Sequence, residues 1–250
     1  MDAAYTLLTL PSRYLVYNGV SEIGIRTLKG KDEKIISEIS LENFDKKFTQ
    51  VLDNVITGIK SSDLTLGDRK YIMLWLAINS FSKDFPIEVT CDNCLGKTEQ
   101  LVDLSRLEVI QLPDGFKEPT EIALSNNIAI KLRLLRVADE IKISEAEKAG
   151  QNTWLYRYAL SIVDEKMNAL QKVQMLEEMS SADIARIRAW HDEVDHGPNM
   201  NSNYVCSRCG GEGVMPVPFR IEMLFPIGKV LRRNFRTSMQ ADILHASVSE

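Results

Sequence analysis

Two short stretches hold all four cysteines of this chain of 250 residues, CDNCLGK at residues 91–97 and CSRCGGE at residues 206–212. Each is a Cys-x-x-Cys pair with a glycine within two residues of the second cysteine, and 111 residues separate the pairs. A Cys-x-x-Cys pair at a tight turn (a knuckle) supplies two thiolates to a tetrahedral Zn²⁺ site, so two knuckles complete one site. The predicted ligands of this structural Zn²⁺ are Cys91, Cys94, Cys206 and Cys209. Four sulfur ligands leave no open coordination position, so the metal would hold shape rather than catalyse a reaction.

Two other uses of these cysteines are open at this point, redox chemistry and burial as inert side chains. Thioredoxin-like chemistry places Cys-x-x-Cys at the start of a helix that follows a strand. Here strand-like residues follow both pairs. Inert cysteines are not expected to fall into two matched motifs. The long separation is tolerable, because the free energy of loop closure rises by only about 0.6 kcal/mol for each doubling of loop length.

Alternating apolar residues predict strands on both sides of each knuckle. PIEVTC directs Ile87, Val89 and Cys91 to one side, and TEQLVDL returns as a second strand, which indicates a hairpin with the first knuckle at its tip. YVCSRCGGEGVMPVPF repeats the same order at the second knuckle. Gly96 and Gly210 are expected to let backbone amides approach the sulfurs. Another hairpin is predicted in EIALSNNIAIKLRLL, with its turn at residues 125–127.

The remaining segments have the apolar periodicity of helices. SLENFDKKFTQVLDNVITGIK repeats apolar residues on one helical face, and GDRKYIMLWLAINSF is apolar on every side from Tyr71 to Ala77, which predicts a buried central helix. Residues 137–195 form a helical block, and Ser180 with Asp183 marks a helix start within it. Apart from the two knuckles, no internal repeat is expected.

These patterns predict an α+β fold in which zinc-ribbon-like β knuckles combine with a helical N-terminal segment and a helical insertion. The predicted domains are 1–85, an extended segment and helical core, and 86–226, a zinc-ribbon-like domain with its helical insertion at about 137–195. Residues 227–250 are predicted to form an amphipathic tail with a basic cluster at Lys229, Arg232, Arg233 and Arg236. Docking of this tail on a partner subunit is a hypothesis.

Composition excludes several classes of protein. With 44 % apolar and 26 % charged residues, the chain is expected to be a soluble globular protein. The sequence contains no run of about 18 apolar residues, which is the pattern that predicts a membrane span. An Asp stands at position 2, where a secretory signal carries positive charge, so we expect a cytoplasmic protein with reduced thiols. The net charge of −5 argues against a dedicated nucleic-acid binder.

Catalysis is not expected. His191 and His196 lie among acidic residues in AWHDEVDHG, but positions i and i+5 do not share a helix face, and a solvated helix end explains the segment better than a metal or acid/base site. No nucleotide-binding, metalloprotease or serine-hydrolase motif is present. Trp75, Trp154 and Trp190 lie on apolar helix faces and are predicted to pack in the core.

Several stretches together resemble a known family. They are the opening LPSRYLVY, then IRTLKGKDEKI, DRKYIMLWLAINSF, the knuckle IEVTCDNCLGKTEQLVDL, and CSRCGGEGVMPVPFRIEMLFP. In this order they are similar to the baseplate hub assembly chaperone family of T-even-type contractile-tail phages, from about residue 8 to residue 226. The chain departs from the family at Tyr14, where a small residue is expected, and in the roughly 24 residues after Pro226.

The resemblance implies a phage tail morphogenesis protein that binds baseplate hub subunits and assists hub assembly without catalytic turnover. The resemblance also implies that the metal-binding cysteines of the family correspond to Cys91, Cys94, Cys206 and Cys209. The implied location is the host bacterial cytoplasm during assembly, and no small-molecule substrate or membrane partner is implied. Two alternatives stay open, a permanent structural subunit of the virion baseplate and a nucleic-acid-binding zinc-ribbon protein, which only the basic tail favours.

Overall fold

The computed structural model describes residues 4–40, 43–125 and 128–218. Within them the fold is α+β, as predicted. The helices are α1 (Gly30–Ile36), α2 (Phe44–Val55), α3 (Leu66–Ser80), α4 (Val137–Lys148), α5 (Trp154–Ser161), α6 (Ala169–Glu177) and α7 (Ser181–Glu193). The strands are β1 (Thr6–Leu8), β2 (Ile23–Ile25), β3 (Ile56–Thr57), β4 (Asp84–Thr90), β5 (Lys97–Asp103), β6 (Val109–Ile110), β7 (Thr120–Ala123), β8 (Ala129–Leu132), β9 (Gly197–Pro198), β10 (Asn201–Val205) and β11 (Glu212–Pro216). Within the described residues, no helix has the length and apolar character needed to span a membrane.

The chain divides into two compact units, and each is built from two separate stretches. Unit 1 comprises the described parts of Met1–Ile72 and Val109–Gly197, and unit 2 those of Met73–Glu108 and Pro198–Glu250. The domains expected from the sequence are continuous segments, and their independence as folding units stays a prediction. The amphipathic tail predicted over 227–250 lies outside the described residues.

Unit 1 begins with an antiparallel sheet in the order β1-β2-β3. Helix α2 leads directly into β3 and contacts α1 and α4. The buried positions of α2 are Phe48, Val51, Leu52 and Val55, the periodicity predicted from the sequence. The helix ends at Val55, however, and the next residue already belongs to β3. This first residue of β3 is the β-branched Ile56, which is buried at 4 % exposure.

A second apolar cluster of unit 1 lies among the helices that follow β8. The hairpin of β7 and β8 is confirmed, with Thr120 opposite Leu132 and Ala123 opposite Ala129. The buried residues of this second cluster, most of them aliphatic, are Leu112, Leu124, Ile130, Leu132, Leu134, Ala159, Ile162, Leu176, Ile184, Ile187, Trp190 and Val194. The helix start predicted at Ser180 is present, since its side chain accepts a hydrogen bond from the Asp183 backbone N–H.

The three tryptophans do not share one environment. Trp190 is buried, as predicted, whereas Trp75 is half-buried on α3. The prediction of a core position is wrong for Trp154, which is 52 % exposed at the first turn of α5. The guanidinium carbon of Arg188 lies 5.6 Å from the centroid of the Trp154 ring, so a cation rather than an apolar core covers this side chain.

An internal repeat that the sequence analysis did not identify joins a strand to a helix twice in unit 1. The segments are RTLKGKD at 26–32, between β2 and α1, and RLLRVAD at 133–139, between β8 and α4. In the first, the Arg26 guanidinium donates two hydrogen bonds to the Asp32 carboxylate, at 2.7 and 3.1 Å. In the second, Arg133 donates two to Asp139, at 2.7 and 3.0 Å. The spacing Arg-x-x-basic-x-x-Asp thus builds the same fork twice.

Each aspartate also caps the helix that it begins. Asp32 accepts the backbone N–H of Lys29, and Asp139 that of Arg136, both at 2.9 Å. Burial alone would raise the pKa of Asp32, but the Arg26 guanidinium and the Lys29 amide together hold this pKa below its usual value. The first pair is the more deeply buried, with Arg26 at 4 % and Asp32 at 0 % side-chain exposure.

The Leu-Pro-Ser opening of the chain is tied to the start of α3. The Ser12 backbone N–H donates to one Asp68 carboxylate oxygen at 2.9 Å, and the Tyr17 hydroxyl donates to the other at 2.5 Å. The Thr65 backbone N–H, just before α3, in turn donates to the Tyr17 hydroxyl at 2.8 Å. Burial, followed by the negative charge of Asp68, raises the pKa of Tyr17 far above its usual value. This network explains why a buried serine and tyrosine occur in the opening motif.

We expect Asp32→Asn to lower the free energy of unfolding of the full chain by about 3 to 5 kcal/mol, because it leaves a buried guanidinium without its counter-charge. Urea unfolding followed by circular dichroism measures the loss. Glu33→Gln, on the exposed side of the same turn, serves as the control and should stay within about 0.5 kcal/mol of the unsubstituted chain. A loss below about 1 kcal/mol for Asp32→Asn would show that the fork does not secure the start of α1.

Candidate metal centre

The two knuckles lie at the tips of two antiparallel hairpins in unit 2, as the alternating pattern predicted. In the first hairpin β4 pairs with β5 from Asp84 opposite Asp103 up to Thr90 opposite Lys97, immediately next to Cys91. In the second, β10 pairs with β11 up to Val205 opposite Glu212, next to Cys206. Each hairpin therefore delivers two cysteines from one turn.

The four predicted metal ligands converge. All four Sγ atoms lie within 4.8 Å of one another, and the Cys91–Cys209 and Cys94–Cys206 Sγ atoms are each 3.8 Å apart. A tetrahedron with Zn–S bonds of about 2.3 Å has S···S edges of about 3.8 Å, so the spacing fits four sulfurs around one metal ion. A disulfide needs an S–S distance of about 2.0 Å, and all four thiols are free. The cluster thus has the donor set and size of a closed Zn²⁺ site.

The two knuckles are close to equivalent by a local two-fold relation. The Cys91 N–H donates to the Gly96 carbonyl at 3.0 Å, and the Cys206 N–H donates to that of Gly211 at 2.8 Å. The close sulfur pairs likewise join the first cysteine of one knuckle to the second cysteine of the other. In both knuckles the first cysteine is buried and the second is exposed.

The proton affinities of the thiols follow from the same geometry. The backbone N–H groups of Cys94 and Asn93 point towards the Cys91 sulfur and lower the pKa of its thiol. Cys94 receives one such bond, from the Gly96 N–H, but its sulfur is crowded by the other three, and its pKa is raised. A bound cation would relieve this crowding and favour the thiolate at every position.

The Gly96 N–H approaches the Cys94 sulfur, as expected, and the glycines of the knuckles have further roles. The left-handed conformation occurs at the residue directly after each second cysteine, which is Leu95 (φ +54°) in the first knuckle and Gly210 (φ +72°) in the second. Gly96 also leaves room for the exposed Arg208 side chain, because a Cβ there would lie 2.6 Å from the Arg208 guanidinium and would displace it. Gly211 faces Asn93 in the equivalent way, with a Cβ distance of 3.2 Å.

Polar residues beside the cysteines link the two hairpins, and the sequence analysis did not identify them. The Thr98 and Ser207 hydroxyls lie 2.9 Å apart, and the Gln100 side-chain amide donates to the Val205 carbonyl at 3.0 Å. The Asn93 amide approaches the Cys209 sulfur at 3.6 Å. Their signal in the sequence is weak, since Asn and Ser between the cysteines of a knuckle are also typical of any exposed turn.

His191 and His196, considered above as acid/base candidates, line one cavity of about 80 Å³ in unit 1. His191 Nε2 lies 3.1 Å from the Ser161 hydroxyl, whose own proton goes to the Tyr158 carbonyl, so His191 is the donor. Burial lowers the pKa of His191 to about 4. The structure therefore places it as a neutral, hydrogen-bonded side chain.

His196 is engaged in the same manner. Its Nδ1 lies 3.0 Å from the Val194 carbonyl, which can only accept, and its Nε2 therefore accepts from the Thr65 hydroxyl at 2.7 Å. The Thr65 oxygen also caps the start of α3 through the Asp68 N–H, at 3.2 Å. Within the described residues, neither histidine belongs to a group that could hold a metal ion.

We expect Leu95→Gly to raise the free energy of unfolding by up to about 1 kcal/mol. A leucine in the left-handed conformation costs about 1 to 2 kcal/mol, and the substitution removes this strain. Part of the gain is lost, because glycine gives up more conformational entropy than leucine when the chain folds. Gly210→Ala tests the equivalent position and should lower stability by about 1 kcal/mol. Thermal unfolding at fixed zinc concentration compares the two. A destabilised Leu95→Gly variant would mean that the leucine side chain makes contacts that outweigh its backbone strain.

Comparison with known proteins places this geometry in a family. The family described as T4 bacteriophage base plate protein matches residues 5–226, which include the Leu-Pro-Ser opening and both knuckles. No curated protein and no solved structure matches the chain significantly. Because the match spans most of the sequence, the chain belongs to the T4 bacteriophage base plate protein family.

Proposed function

We propose that this chain is a non-catalytic morphogenesis factor that binds subunits of the baseplate hub and assists assembly of the hub. The family match over residues 5–226 is the observation that carries the proposal, because it supports a role at the baseplate and spans every described helix and strand of both units. Such a factor would act in the host bacterial cytoplasm while the phage tail is assembled. It would have other baseplate proteins as partners and no small-molecule substrate.

We further propose that the metal is Zn²⁺ and that its role is structural. The support is the all-sulfur donor set with 3.8 Å edges, since thiolates select zinc and a four-sulfur shell is closed to substrates. Cys91, Cys94, Cys206 and Cys209 would hold the ion. Joining two small hairpins is a role that zinc suits well, because a two-stranded hairpin alone is at best marginally stable in water.

A non-catalytic role is supported by the state of the polar groups considered for chemistry. The two histidines of AWHDEVDHG are engaged with Ser161 and Thr65 hydroxyls, and the pKa of His191 is low because the ring is buried. A histidine whose pKa is about 4 is a weak general base near neutral pH, because a catalytic base works best when its pKa is close to the working pH. These side chains stabilise unit 1 in this proposal.

A permanent structural subunit of the baseplate is the second candidate, because the family description fits a component of the virion as well as an assembly factor. The nucleic-acid-binding alternative depended on the basic cluster between Lys229 and Arg236, which lies outside the described residues. No described feature favours it.

Removal of one exposed ligand tests the metal proposal. Protein purified without chelator should contain one zinc per chain, and Cys94→Ser should lose most of it and unfold at a lower temperature, because metal binding is coupled to folding. Ser207→Ala, in the other knuckle and outside the ligand set, should retain the metal. Elemental analysis and thermal unfolding give both readouts. Full zinc occupancy in Cys94→Ser would contradict the four-sulfur site.

Mass spectrometry of purified virions separates the assembly factor from the structural subunit. An assembly factor should be abundant in infected cells, co-purify with hub intermediates and be absent from mature particles. Detection at a fixed ratio to known baseplate proteins in mature particles would overturn the assembly-factor proposal and leave the structural one.

A further inference from the structure

A groove runs along the outer face of the β10–β11 hairpin in unit 2, and none of the four cysteines lines it. Its two halves enclose about 660 and 730 Å³ and share Asn203 and Val214. Gln100 borders the first half, and the short 3-10 helix at Leu104–Arg106 with the residues just after it borders the second. The metal centre uses none of these side chains.

The floor of the groove is apolar and exposed. Val205 is 57 % exposed and Val214 64 %, whereas Tyr204 and Met215, on the opposite face of the same hairpin, are buried. Alternation along a strand explains the contrast, because successive side chains point to opposite faces. Two branched apolar side chains on a face without a covering element in the described part of the chain are suited to contact with another protein.

The edge of β10 beside this floor has backbone groups directed away from its partner strand. The Cys206 N–H donates to the Gly211 carbonyl, and the Val217 N–H donates to the Met200 carbonyl. Counted from these two pairs, every second residue pair along the hairpin is hydrogen-bonded, because hydrogen-bonded and non-hydrogen-bonded pairs alternate in an antiparallel ladder. Asn201, Asn203 and Val205 therefore fall in non-hydrogen-bonded pairs, and their N–H and C=O groups point to the free edge. At Val205 the carbonyl accepts the Gln100 side-chain amide, a substitute for a strand N–H.

The groove has an excess of negative charge. Three carboxylates line it, those of Asp103, Glu108 and Glu212, against one cation, Arg106. Arg106 is already paired with Asp103 at 3.5 Å. Glu108 accepts a neutral amide, from Asn199 at 3.3 Å, and Glu212 has no ion-pair partner among the described residues. A ligand with positive charge would complement Glu108 and Glu212.

From these features we propose that the groove binds an extended, basic segment of another baseplate protein, which adds as a strand to the edge of β10. Backbone bonds to Asn201 and Asn203 provide its affinity, alternate apolar side chains contact Val205 and Val214, and lysine or arginine side chains meet Glu108 and Glu212. The choice of a baseplate protein rests on the proposed function. The shape and charge of the ligand rest on the groove alone.

The test uses overlapping 15-residue peptides that cover the baseplate proteins of the same phage, with the chain's own residues 219–250 as an additional peptide. Full-length, zinc-loaded protein is titrated into each labelled peptide, and binding is read by fluorescence anisotropy. We expect binding by peptides that combine alternating apolar residues with lysine or arginine, and weaker binding at high salt. No binding by such peptides, or binding only by residues 219–250, would overturn the proposal.

Asn203→Pro makes the test specific to the strand edge. Proline removes the N–H at a position where β11 does not use it, so the hairpin can keep its own ladder. We expect at least tenfold weaker binding with zinc content retained, and less than a twofold change for the matched variant Asn203→Ser. If Asn203→Pro fails to fold, Val214→Lys replaces it, since this exposed side chain is on the floor and a positive charge there should also weaken binding at least tenfold. Unchanged binding in the folded variant would contradict strand addition.

The outcomes for the groove and for the proposed function are distinguishable. If hub intermediates retain the protein and virions lack it while no peptide binds, only the groove proposal falls. If a basic peptide binds and loses affinity in Asn203→Pro, but the protein is present in virions at fixed ratio, the groove proposal stands and the assembly-factor role falls.

Discussion

The organisation of unit 2 depends on the convergence of four thiols that come from two distant parts of the chain. A hairpin of two short strands buries little apolar surface, and each of the two hairpins has one face exposed to solvent. Links between them in the described residues include the sulfur cluster, in which two sulfur pairs are 3.8 Å apart, and polar contacts such as that of Thr98 with Ser207. Because the sulfurs repel one another as thiolates, a cation at their centre would offset this repulsion and cross-link the two hairpins.

In unit 1, ion pairs stabilise the junctions between strands and helices. Two strands must turn abruptly into helices, and each junction buries an aspartate that caps the helix and receives a two-pronged arginine. A carboxylate without such a partner would be protonated or would destabilise its surroundings at these depths. The opening Leu-Pro-Ser segment follows the same logic, with Asp68 receiving a backbone N–H and a tyrosine hydroxyl. Among the described residues, the buried carboxylates of this unit, those of Asp32, Asp68, Asp139 and Asp183, all lie in the first turns of helices.

Local patterns made much of this architecture predictable. Paired cysteines flanked by alternating residues predicted the knuckles and the hairpins, because each depends on residues close together in sequence. The apolar stripe of α2 was predictable for the same reason, although its end at Val55 was not, since only pairing with β2 makes Ile56 a strand residue. The convergence of the four cysteines was predictable for another reason, since each of the two matched knuckles supplies half of a four-sulfur site.

Features that depend on distant partners were not predictable. The Arg-x-x-basic-x-x-Asp repeat resembles an ordinary exposed charge pattern until burial is known, and Trp154 has the spacing of a core residue although a cation covers it. Leu95 in a left-handed turn contradicts local preference, so only its equivalence to Gly210 reveals the position. The division into two discontinuous units likewise follows from contacts between segments that are distant in sequence, such as those of Val137 with Leu64 and of Asn199 with Glu108.

Zinc K-edge X-ray absorption on the full-length protein, purified without chelator, tests most directly the claim that one four-sulfur site joins the two hairpins. For a closed four-sulfur site we expect a single shell of four sulfur neighbours at about 2.3 Å, with one zinc per chain. A shell that contains nitrogen or oxygen ligands, or protein that folds fully without bound zinc, would contradict it.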